Sequence, residues 1–330
     1  EVCNQTYTAL FDATHGAAVL NDCKYGVSQL EGKISLSLIC AGVNPDPDAD
    51  IRSHDFRYAY TFWDGSFEQS GVVAEAGALN VPVLAADGAR VLDLGGASSR
   101  PGADDVPAEE ELRRVLPLLK ELVRLRAQAD TTEGAALSAS TLFSVDTWRA
   151  DVARAALEAG ADIVNDVSAC AWEPSLREVV AEHKPGYVLM HCLPETAPRT
   201  MQDAPRYGDT VGEVLDFFEK NMTLLAKAGL PEEHIMLDPG IGFGKTAEHN
   251  CALLRGMERL QSLGRPILLG VSNKSLFGAL LGLGVHERGE ATRVCTALLA
   301  ARGIVHHRVH DVMAARQALT LTEHFSPWKD

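Results

Sequence analysis

The segment His234–Lys245, HIMLDPGIGFGK, joins a short apolar run to a glycine-rich turn. The run shows no alternation of polar and apolar residues, which is typical of a strand buried on both faces of a parallel sheet. Asp238 ends the run. The three glycines that follow let the backbone turn sharply or approach a ligand closely. The segment therefore predicts a buried strand followed by a functional loop.

The same pattern occurs six more times after about residue 86. Amphipathic helical patterns fill the intervals, for instance over Glu109–Ala127, Ala150–Ala159, Gly212–Ala228 and Ala247–Leu263. Seven strand–helix units over about 245 residues favour an α/β fold, a TIM-like (β/α) barrel that lacks its first βα unit. A Rossmann-type sheet is the competing architecture, but no G-x-G-x-x-G follows a first strand. The seven runs are Arg90–Leu94, Leu142–Val145, Asp162–Asn165, Tyr187–His191, His234–Leu237, Pro266–Val271 and Ile304–Val309.

Polar residues follow nearly every apolar run. In a barrel the carboxyl ends of the strands share one face, and chemistry collects there. Each polar residue taken singly could be a helix N-cap, since Asp, Asn and Ser cap helices routinely. Caps do not explain Lys274, Arg308 and His310, so the set favours a ligand site. The segments are Asp93–Gly96, Asp146–Thr147, Asn165–Asp166, His191, Asp238–Lys245, Ser272–Ser275 and Arg308–Asp311.

The composition of this ring indicates the chemistry of its ligand. Asp146, Asn165 and Asp238 supply acceptors and an amide, which match the donor-rich edge of an aminopyrimidinone-type heterocycle. Lys274 is a compact charge that could lie between the heterocycle and a second ligand.

A polyanion is the second ligand that the residue types suggest. Arg308, His310, Ser99 and Arg100 supply donors, and the forked guanidinium suits phosphate. A flat heterocycle beside a diphosphate predicts a group transfer in which pyrophosphate leaves.

Residues 86–325 resemble the dihydropteroate synthases, the pterin-binding barrel enzymes of folate synthesis. The matching stretches are LDLGGASSRPGA (92–103), SVDT (144–147), EAGADIVNDVS (158–168), VLMH (188–191), DPGIGFGK (238–245), GVSNKS (270–275) and RVHDV (308–312). The resemblance implies that the amine of p-aminobenzoate displaces pyrophosphate from 6-hydroxymethyl-7,8-dihydropterin pyrophosphate, without a covalent protein nucleophile and with Mg²⁺ on the diphosphate.

The resemblance also implies roles for individual residues. We expect Lys274 and Asp238 to act at the reacting centre. Pterin contacts are implied for Asp146, Asn165, Asp238 and Lys274. Anion contacts are implied for Arg308 and His310. The residues implied near the p-aminobenzoate pocket are Ser99, Arg100, Pro101, Phe243 and Ser275.

The chain departs from the family pattern at several positions. Ala97, Ser99 and Asn273 stand where the family normally has Glu, Thr and Arg, and Cys192 follows His191. The family's first strand leads into a loop of type N-V-T-P-D-S-F, whose Asn binds metal and diphosphate. No such loop is recognised before Gly95, so no metal ligand is assigned and turnover is expected to be impaired.

The first 85 residues have a different character. Lys33–Cys40 and Phe56–Phe62 alternate with period two, which predicts antiparallel β-structure. Residues 1–84 resemble the β-rich C-terminal region of zinc-dependent α-mannosidases, through AVLNDCKYG (18–26), residues 34–62 and SGVVAEAGALNVPV (70–83). We therefore predict two domains, 1–85 and 86–330. A natural fusion, a faulty gene model and a deliberate chimera all remain open.

Composition bounds the partners and the compartment. The formal net charge of −15 argues against nucleic acid and anionic membranes as partners. Seven scattered cysteines without C-x-x-C favour a reducing compartment, so we expect a cytoplasmic protein. A homodimer is usual for the resembled family. The alternative functions are a pterin-binding barrel without turnover, a nonfunctional fusion of two truncated families and a carbohydrate-active fragment.

Overall fold

The computed structural model describes residues 2–3, 7–11, 14–21, 26–30, 33–36, 58–64, 66, 88–97, 106–129, 137–193 and 205–325. The chain divides into two compact units, Glu1–Ala86 with Leu116–Ala139, and Asp87–Val115 with Ser140–Asp330. The division after Ala86 lies one residue from the predicted boundary, but the first unit also takes in Leu116–Ala139. The two domains of 1–85 and 86–330 stay a prediction.

The first unit contains two small antiparallel sheets. One has the order β1 (Val2–Cys3), β4 (Gly26–Leu30) and β5 (Lys33–Leu36). The other has the order β2 (Tyr7–Phe11), β3 (His15–Asn21) and β6 (Tyr58–Asp64). The predicted antiparallel segment is thus confirmed. Residues 37–40 and 56–57 of the two predicted strands lie outside the described residues.

A parallel sheet forms the centre of the second unit. Five strands pair in chain order, β7 (Val91–Gly95), β8 (Leu142–Asp146), β9 (Ile163–Asp166), β10 (Gly186–Met190) and β11 (Ile235–Asp238). A parallel bridge from Leu237 to Ile267 continues the sheet, and β12 (Leu268–Leu269) pairs in parallel with β13 (His306–His307). Each of the seven predicted runs therefore contains a parallel strand, and the α/β class is confirmed.

Helices follow the strands as the sequence predicts. They are α1 (Ala108–Ala127), α2 (Ala150–Glu158), α3 (Leu176–His183), α4 (Thr210–Ala228), α5 (Ala247–Arg255), α6 (Met257–Gln261), α7 (Ser275–Leu281), α8 (Gly289–Ala300) and α9 (Val312–Phe325). The prediction of a single helix over Ala247–Leu263 is wrong, because the helix is interrupted at Gly256, between α5 and α6. A Cβ there would lie 2.9 Å from the Val211 side chain at the start of α4.

The first and last strands of this sheet approach each other at their carboxyl ends. Arg308, directly after β13, forms an ion pair with Asp93 of β7 at 2.7 Å. Within the described ranges no hydrogen-bonded ladder joins these two strands. The described strands therefore curl until the two ends of the sheet meet through side chains, and we call this junction between β7 and β13 the seam. None of the described helices is both long and apolar enough to cross a bilayer.

Candidate active site

Four polar side chains meet at the carboxyl ends of β7, β8, β9 and β13. Asp93 Oδ2 accepts hydrogen bonds from Arg308 Nε at 2.7 Å and from Asn165 Nδ2 at 3.0 Å. Arg308 Nη2 donates to Asp146 Oδ2 at 3.1 Å. Three of the predicted ligand residues, Asp146, Asn165 and Arg308, thus lie in one cluster, and Asp93 joins them. We call these four residues the carboxylate cluster.

Among the described residues, the carboxylate cluster combines two carboxylates with one guanidinium and one amide. Burial and, to a smaller extent, the neighbouring Asp93 together raise the pKa of Asp146 to about 7, although the charge of Arg308 opposes the rise. The Asp93 Oδ1 atom is buried and accepts no hydrogen bond from any described residue. A ligand with N–H groups would supply the donors that these oxygens lack.

Asp238, Lys274 and Phe243 form a second group beside the carboxylate cluster. Asp238 ends β11 and accepts a hydrogen bond from the Gly240 N–H at 2.7 Å. Lys274 precedes α7, and its Nζ lies 4.3 Å from the centroid of the Phe243 ring. Burial raises the pKa of Asp238, and the Gly240 N–H and the charge of Lys274 oppose that rise.

Gly242 allows Lys274 to lie against the glycine-rich loop. Its φ is +82°, and a Cβ there would lie 3.2 Å from Lys274 Cδ. A side chain at this position would be strained and would crowd the lysine. The guanidinium of Arg308 also lowers the pKa of Asp238, which places the two groups of residues in one electrostatic environment.

An apolar wall borders these polar groups. Phe243, Trp148 and Trp172 are partly buried and pack against a small core of Val167, Met190 and Cys192. The two tryptophan rings meet edge to face at 5.3 Å between centroids. The same wall offers a flat heterocycle an apolar surface beside the acceptors.

Lys245 and His191 form a closed polar cluster behind the glycine-rich loop, which we call the lysine knot. Lys245 is 4% exposed, and its Nζ lies 2.9 Å from His191 Nδ1. The same nitrogen donates to the carbonyl oxygens of Phe243 at 2.9 Å, Gly240 at 3.2 Å and His191 at 3.2 Å. Burial lowers the pKa of Lys245 to about 7, and the nearby charge of Lys274 also lowers it.

The carboxylate of Asp166 stabilises the conformation of the loop after β9. It is fully buried and accepts hydrogen bonds from Ser168 N and Oγ at 2.7 Å each, Cys170 N at 2.6 Å and Tyr187 Oη at 2.7 Å. These bonds hold two consecutive residues, Ala169 and Cys170, at φ of 54° and 59°. The tight loop that results follows the strand residue Asn165 and leads to the apolar wall.

The remaining predicted site residues have different outcomes. His310 is exposed, and its Nδ1 lies 2.8 Å from Ser272 Oγ, which ties it to the strand end before Lys274. Ser275 is exposed at the first position of α7. Ser99, Arg100 and Pro101 lie outside the described residues.

Sequence reasoning gave Asp93 and Lys245 no ligand or structural role. Asp93 carries a visible signal, because it is a single carboxylate inside the apolar strand VLDLG. Such a residue is rarely buried without a partner. Lys245 has no comparable signal, since a lysine after a glycine-rich turn is usually solvated.

The described residues do not by themselves form a metal site. No group of three or more His, Cys, Asp or Glu side chains that could hold an ion occurs in the part of the chain that the structure describes. The expected Mg²⁺ therefore finds no complete ligand set there.

Comparisons with known proteins identify the family. The family model described as pterin binding enzyme matches residues 64–310. The C-terminal domain of glycosyl hydrolases family 38 matches residues 1–48, in agreement with the resemblance to α-mannosidases. The pterin-binding match thus begins 22 residues before the predicted domain boundary at 86.

The relatives and solved structures agree with this match. The chain is 43% identical to the dihydropteroate synthase of Synechocystis over 70% of this chain and 75% of that protein. It is 37% identical to that of Escherichia coli K12 over 72% and 78%. The dihydropteroate synthase of Xanthomonas albilineans with 4-aminobenzoic acid superposes with a TM-score of 0.66 at 38% identity, covering 78% and 86%. The chain therefore belongs to the pterin-binding enzymes, as a transferase of the dihydropteroate synthase type.

Proposed function

We propose that the chain joins p-aminobenzoate to 6-hydroxymethyl-7,8-dihydropterin pyrophosphate and releases pyrophosphate. The observation that carries the proposal is the convergence of Asp146, Asn165 and Arg308 at the strand ends, with Asp238 and Lys274 in the same electrostatic environment. Acceptors for a heterocycle and donors for an anion lie together there. The match with dihydropteroate synthases supports a pterin and an anion as their ligands.

The acceptors would hold the pterin. Asp146 and Asp238 accept from the ring N–H and amino groups, and Asn165 supplies an amide that both accepts and donates. Because burial and Asp93 keep the pKa of Asp146 near 7, a donor-rich ring that favours the carboxylate would displace a proton from Asp146 on binding. The apolar wall of Phe243, Trp148 and Trp172 would cover a face or edge of the ring.

The cations would hold the leaving group. Arg308 and His310 donate to the diphosphate, and Lys274 lies between diphosphate and pterin. The amine nitrogen of p-aminobenzoate forms a bond to the pterin methylene carbon while the carbon–oxygen bond to diphosphate breaks. The electron pair leaves with pyrophosphate, and the new amine loses one proton. The protein aligns the two substrates and stabilises the departing charge.

The p-aminobenzoate would lie beside Phe243 and Ser275, with Ser99, Arg100 and Pro101. Mg²⁺ would arrive with the diphosphate, because Mg²⁺ commonly binds one or two carboxylates together with substrate phosphates. It supplies charge neutralisation for the leaving group. We propose a cytoplasmic enzyme without nucleic-acid or membrane partners.

A homodimer through the last helices completes the proposal. Apolar side chains that are more than half exposed lie on α7, α8 and α9, and exposed patches of this kind mark interaction surfaces. Thr322 Oγ1 of α9 lies 3.4 Å from the Ala297 carbonyl of α8, so these two helices present one surface. The exposed residues are Leu280, Leu281, Val294, Leu298, Leu321 and Phe325.

A pterin-binding barrel without turnover is the second candidate. The observation that favours it is the absence of a metal-ligand group among the described residues, beside an intact set of pterin acceptors. The carbohydrate-active alternative has support only in the match over residues 1–48.

Pyrophosphate release by the purified chain tests the proposal. The assay contains pterin pyrophosphate, p-aminobenzoate and Mg²⁺, and a variant with Asp146→Ala and Lys274→Ala controls for contaminating host enzyme. We expect release that falls by at least about 100-fold in the variant, since each lost electrostatic contact costs on the order of that factor. Pterin binding without release would instead support the second candidate. Release that is equal in both proteins would refute the assignment of the site.

A further inference from the structure

The backbone next to Lys274 is hydrogen-bonded to residues at the start of α8. The lysine precedes α7 and follows Asn273, whose backbone has a left-handed φ of 55°. A residue in this conformation fixes the direction of the next side chain only if its two peptide groups are held. Both groups of Asn273 are held by hydrogen bonds, and both partners come from α8 or its N-cap.

Thr292 and Arg288 make these bonds. Thr292 Oγ1 accepts from the Asn273 N–H at 3.1 Å, and Arg288 Nη1 donates to the Asn273 carbonyl at 3.1 Å. Thr292 Oγ1 in turn donates to the Arg288 carbonyl at 2.8 Å, which closes the arrangement. Arg288 Nε and Nη2 also donate to the Leu283 carbonyl at 3.4 Å and 3.3 Å.

The geometry has a direct consequence for the ammonium group. The Nζ atom of Lys274 lies 4.3 Å from the Phe243 ring centroid, and its charge lowers the pKa of Asp238. A long lysine side chain has about 2 kcal/mol of rotamer entropy, so its direction depends on a fixed backbone. We propose that Thr292 and Arg288 are positioning residues, which fix the Asn273 backbone and thereby hold Lys274 between Phe243 and Asp238. This proposal rests on the proposed function only for its effect on turnover.

The chain offers matched controls on the same helix. Thr296 lies one turn after Thr292, is fully buried, and its Oγ1 has no hydrogen-bond partner among the described residues. Thr292→Val and Thr296→Val are therefore the same chemical change with and without the bond to Asn273. Thr292→Ser restores the hydroxyl. Arg293 is exposed and pairs with Glu290 at 3.0 Å, so Arg293→Met is the control for Arg288→Met.

The decisive measurement is the rate at which the Lys274 amine is acylated. The purified variants are treated with an N-hydroxysuccinimide ester, and acylation of Lys274 is timed by peptide mass spectrometry against the exposed Lys227. A lysine that leaves the Phe243 ring is more accessible to the reagent. We expect acylation at least about threefold faster in Thr292→Val and Arg288→Met, on the scale of one lost hydrogen bond. Thr292→Ser, Thr296→Val and Arg293→Met should match the wild type.

Turnover is measured in the same set. We expect kcat to fall about tenfold in Thr292→Val and Arg288→Met, while KM for p-aminobenzoate stays within about twofold. Unchanged Lys274 acylation in folded Thr292→Val and Arg288→Met would overturn the proposal, whatever the activity. An equal increase in Thr296→Val would also overturn it, because the effect would then be general loosening of α8. If acylation changes as expected but the wild type releases no pyrophosphate, the proposed function fails and the positioning role stands.

Discussion

The carboxylate cluster and the lysine knot both place charged side chains in the interior, yet they differ in how many of their polar atoms are paired. Lys245 Nζ has four partners in the knot, and three of them are carbonyl oxygens, two from the glycine-rich loop and one from His191. In the carboxylate cluster Asp93 and Asp146 share one guanidinium, and an oxygen of Asp93 accepts no bond among the described residues. The amine of the lysine knot has all its hydrogen bonds, whereas the carboxylate cluster has an acceptor that a ligand could pair with.

This difference predicts that the lysine knot stabilises the fold and that the carboxylate cluster binds a ligand. A saturated buried amine is expected to matter for stability, because its removal leaves several acceptors unpaired. Carboxylates that repel each other in the absence of ligand are expected to lower stability and to serve binding. The predictions below test whether the two clusters can be told apart in this way.

The largest effect is expected from Lys245→Met. The substitution keeps an unbranched side chain of similar length but removes the hydrogen bonds that Lys245 donates to the carbonyls of His191, Gly240 and Phe243, of which Gly240 keeps a second bond from the Phe243 N–H. We expect a loss of about 4 kcal/mol in the free energy of unfolding, measured by urea denaturation. Lys274→Met is the matched control, and its loss should stay below about 1 kcal/mol. Equal losses in the two variants would show that Lys245 contributes no more to the stability of the fold than Lys274 does.

The two clusters should also respond to pH with opposite sign. The usual pKa of an Asp carboxyl is 3.8, and that of Asp146 in the fold is raised to about 7. The folded state therefore holds this proton more tightly, so the free energy of unfolding falls as pH rises from about 4 to about 7. Lys245 has a pKa lowered from 10.5 to about 7, so the unfolded state holds its proton more tightly. Its contribution to the free energy of unfolding rises between about pH 7 and 10.5.

Asp146→Asn and Lys245→Met isolate these two contributions. Relative to the wild type, Asp146→Asn should remove the fall in the free energy of unfolding between about pH 4 and 7. Lys245→Met should remove the rise in the free energy of unfolding between about pH 7 and 10.5. Each slope is at most about 1.4 kcal/mol per pH unit inside its window. Urea denaturation in a series of buffers measures both. Variant and wild-type curves that run parallel from pH 4 to 10 would contradict the assigned pKa directions.

The smallest effect is expected at Asn273, on the pocket side of the comparison. Its φ of 55° lies in the left-handed region, which Asn tolerates better than most residues with a side chain. Asn273→Arg introduces the residue that the family usually has there, and we expect it to lower the free energy of unfolding by about 1 kcal/mol. Asn273→Gly should change it by only a few tenths. Denaturation midpoints that rank Arg above Gly would show that the backbone is not strained at this position.

The strands could be predicted from the sequence because their residues are apolar on both faces and because polar residues end each run. Phe143, Val145, Val164, Leu189 and Leu237 are all fully buried, as such runs require. The break at Gly256 could not be predicted, since the helical pattern continues through it; in the fold a Cβ at this position would lie 2.9 Å from the Val211 side chain.

The pocket residues were predictable by type and by position at strand ends. Asp146, Asn165 and Arg308 lie together for that reason. The hydrogen bonds of Asp93 to Arg308 and Asn165 were not predictable, because the sequence does not show which side chains at the strand ends pair with each other. The roles of Asp166 and Lys245 depend on loop carbonyls and amides, which leave no pattern in the side-chain sequence.

Arg308 belongs at once to the pocket and to the seam between β13 and β7. Its guanidinium joins the ends of a sheet that no described ladder closes. A bound diphosphate would compete with Asp93 and Asp146 for the same donors. The substrate would then replace the ion pairs of Arg308 with the two carboxylates. Its anion would bind Arg308, and its donor-rich ring would bind the carboxylates. The same side chain would thus bind the ligand and join the described ends of the sheet, so that substrate binding and the link between β7 and β13 depend on one guanidinium.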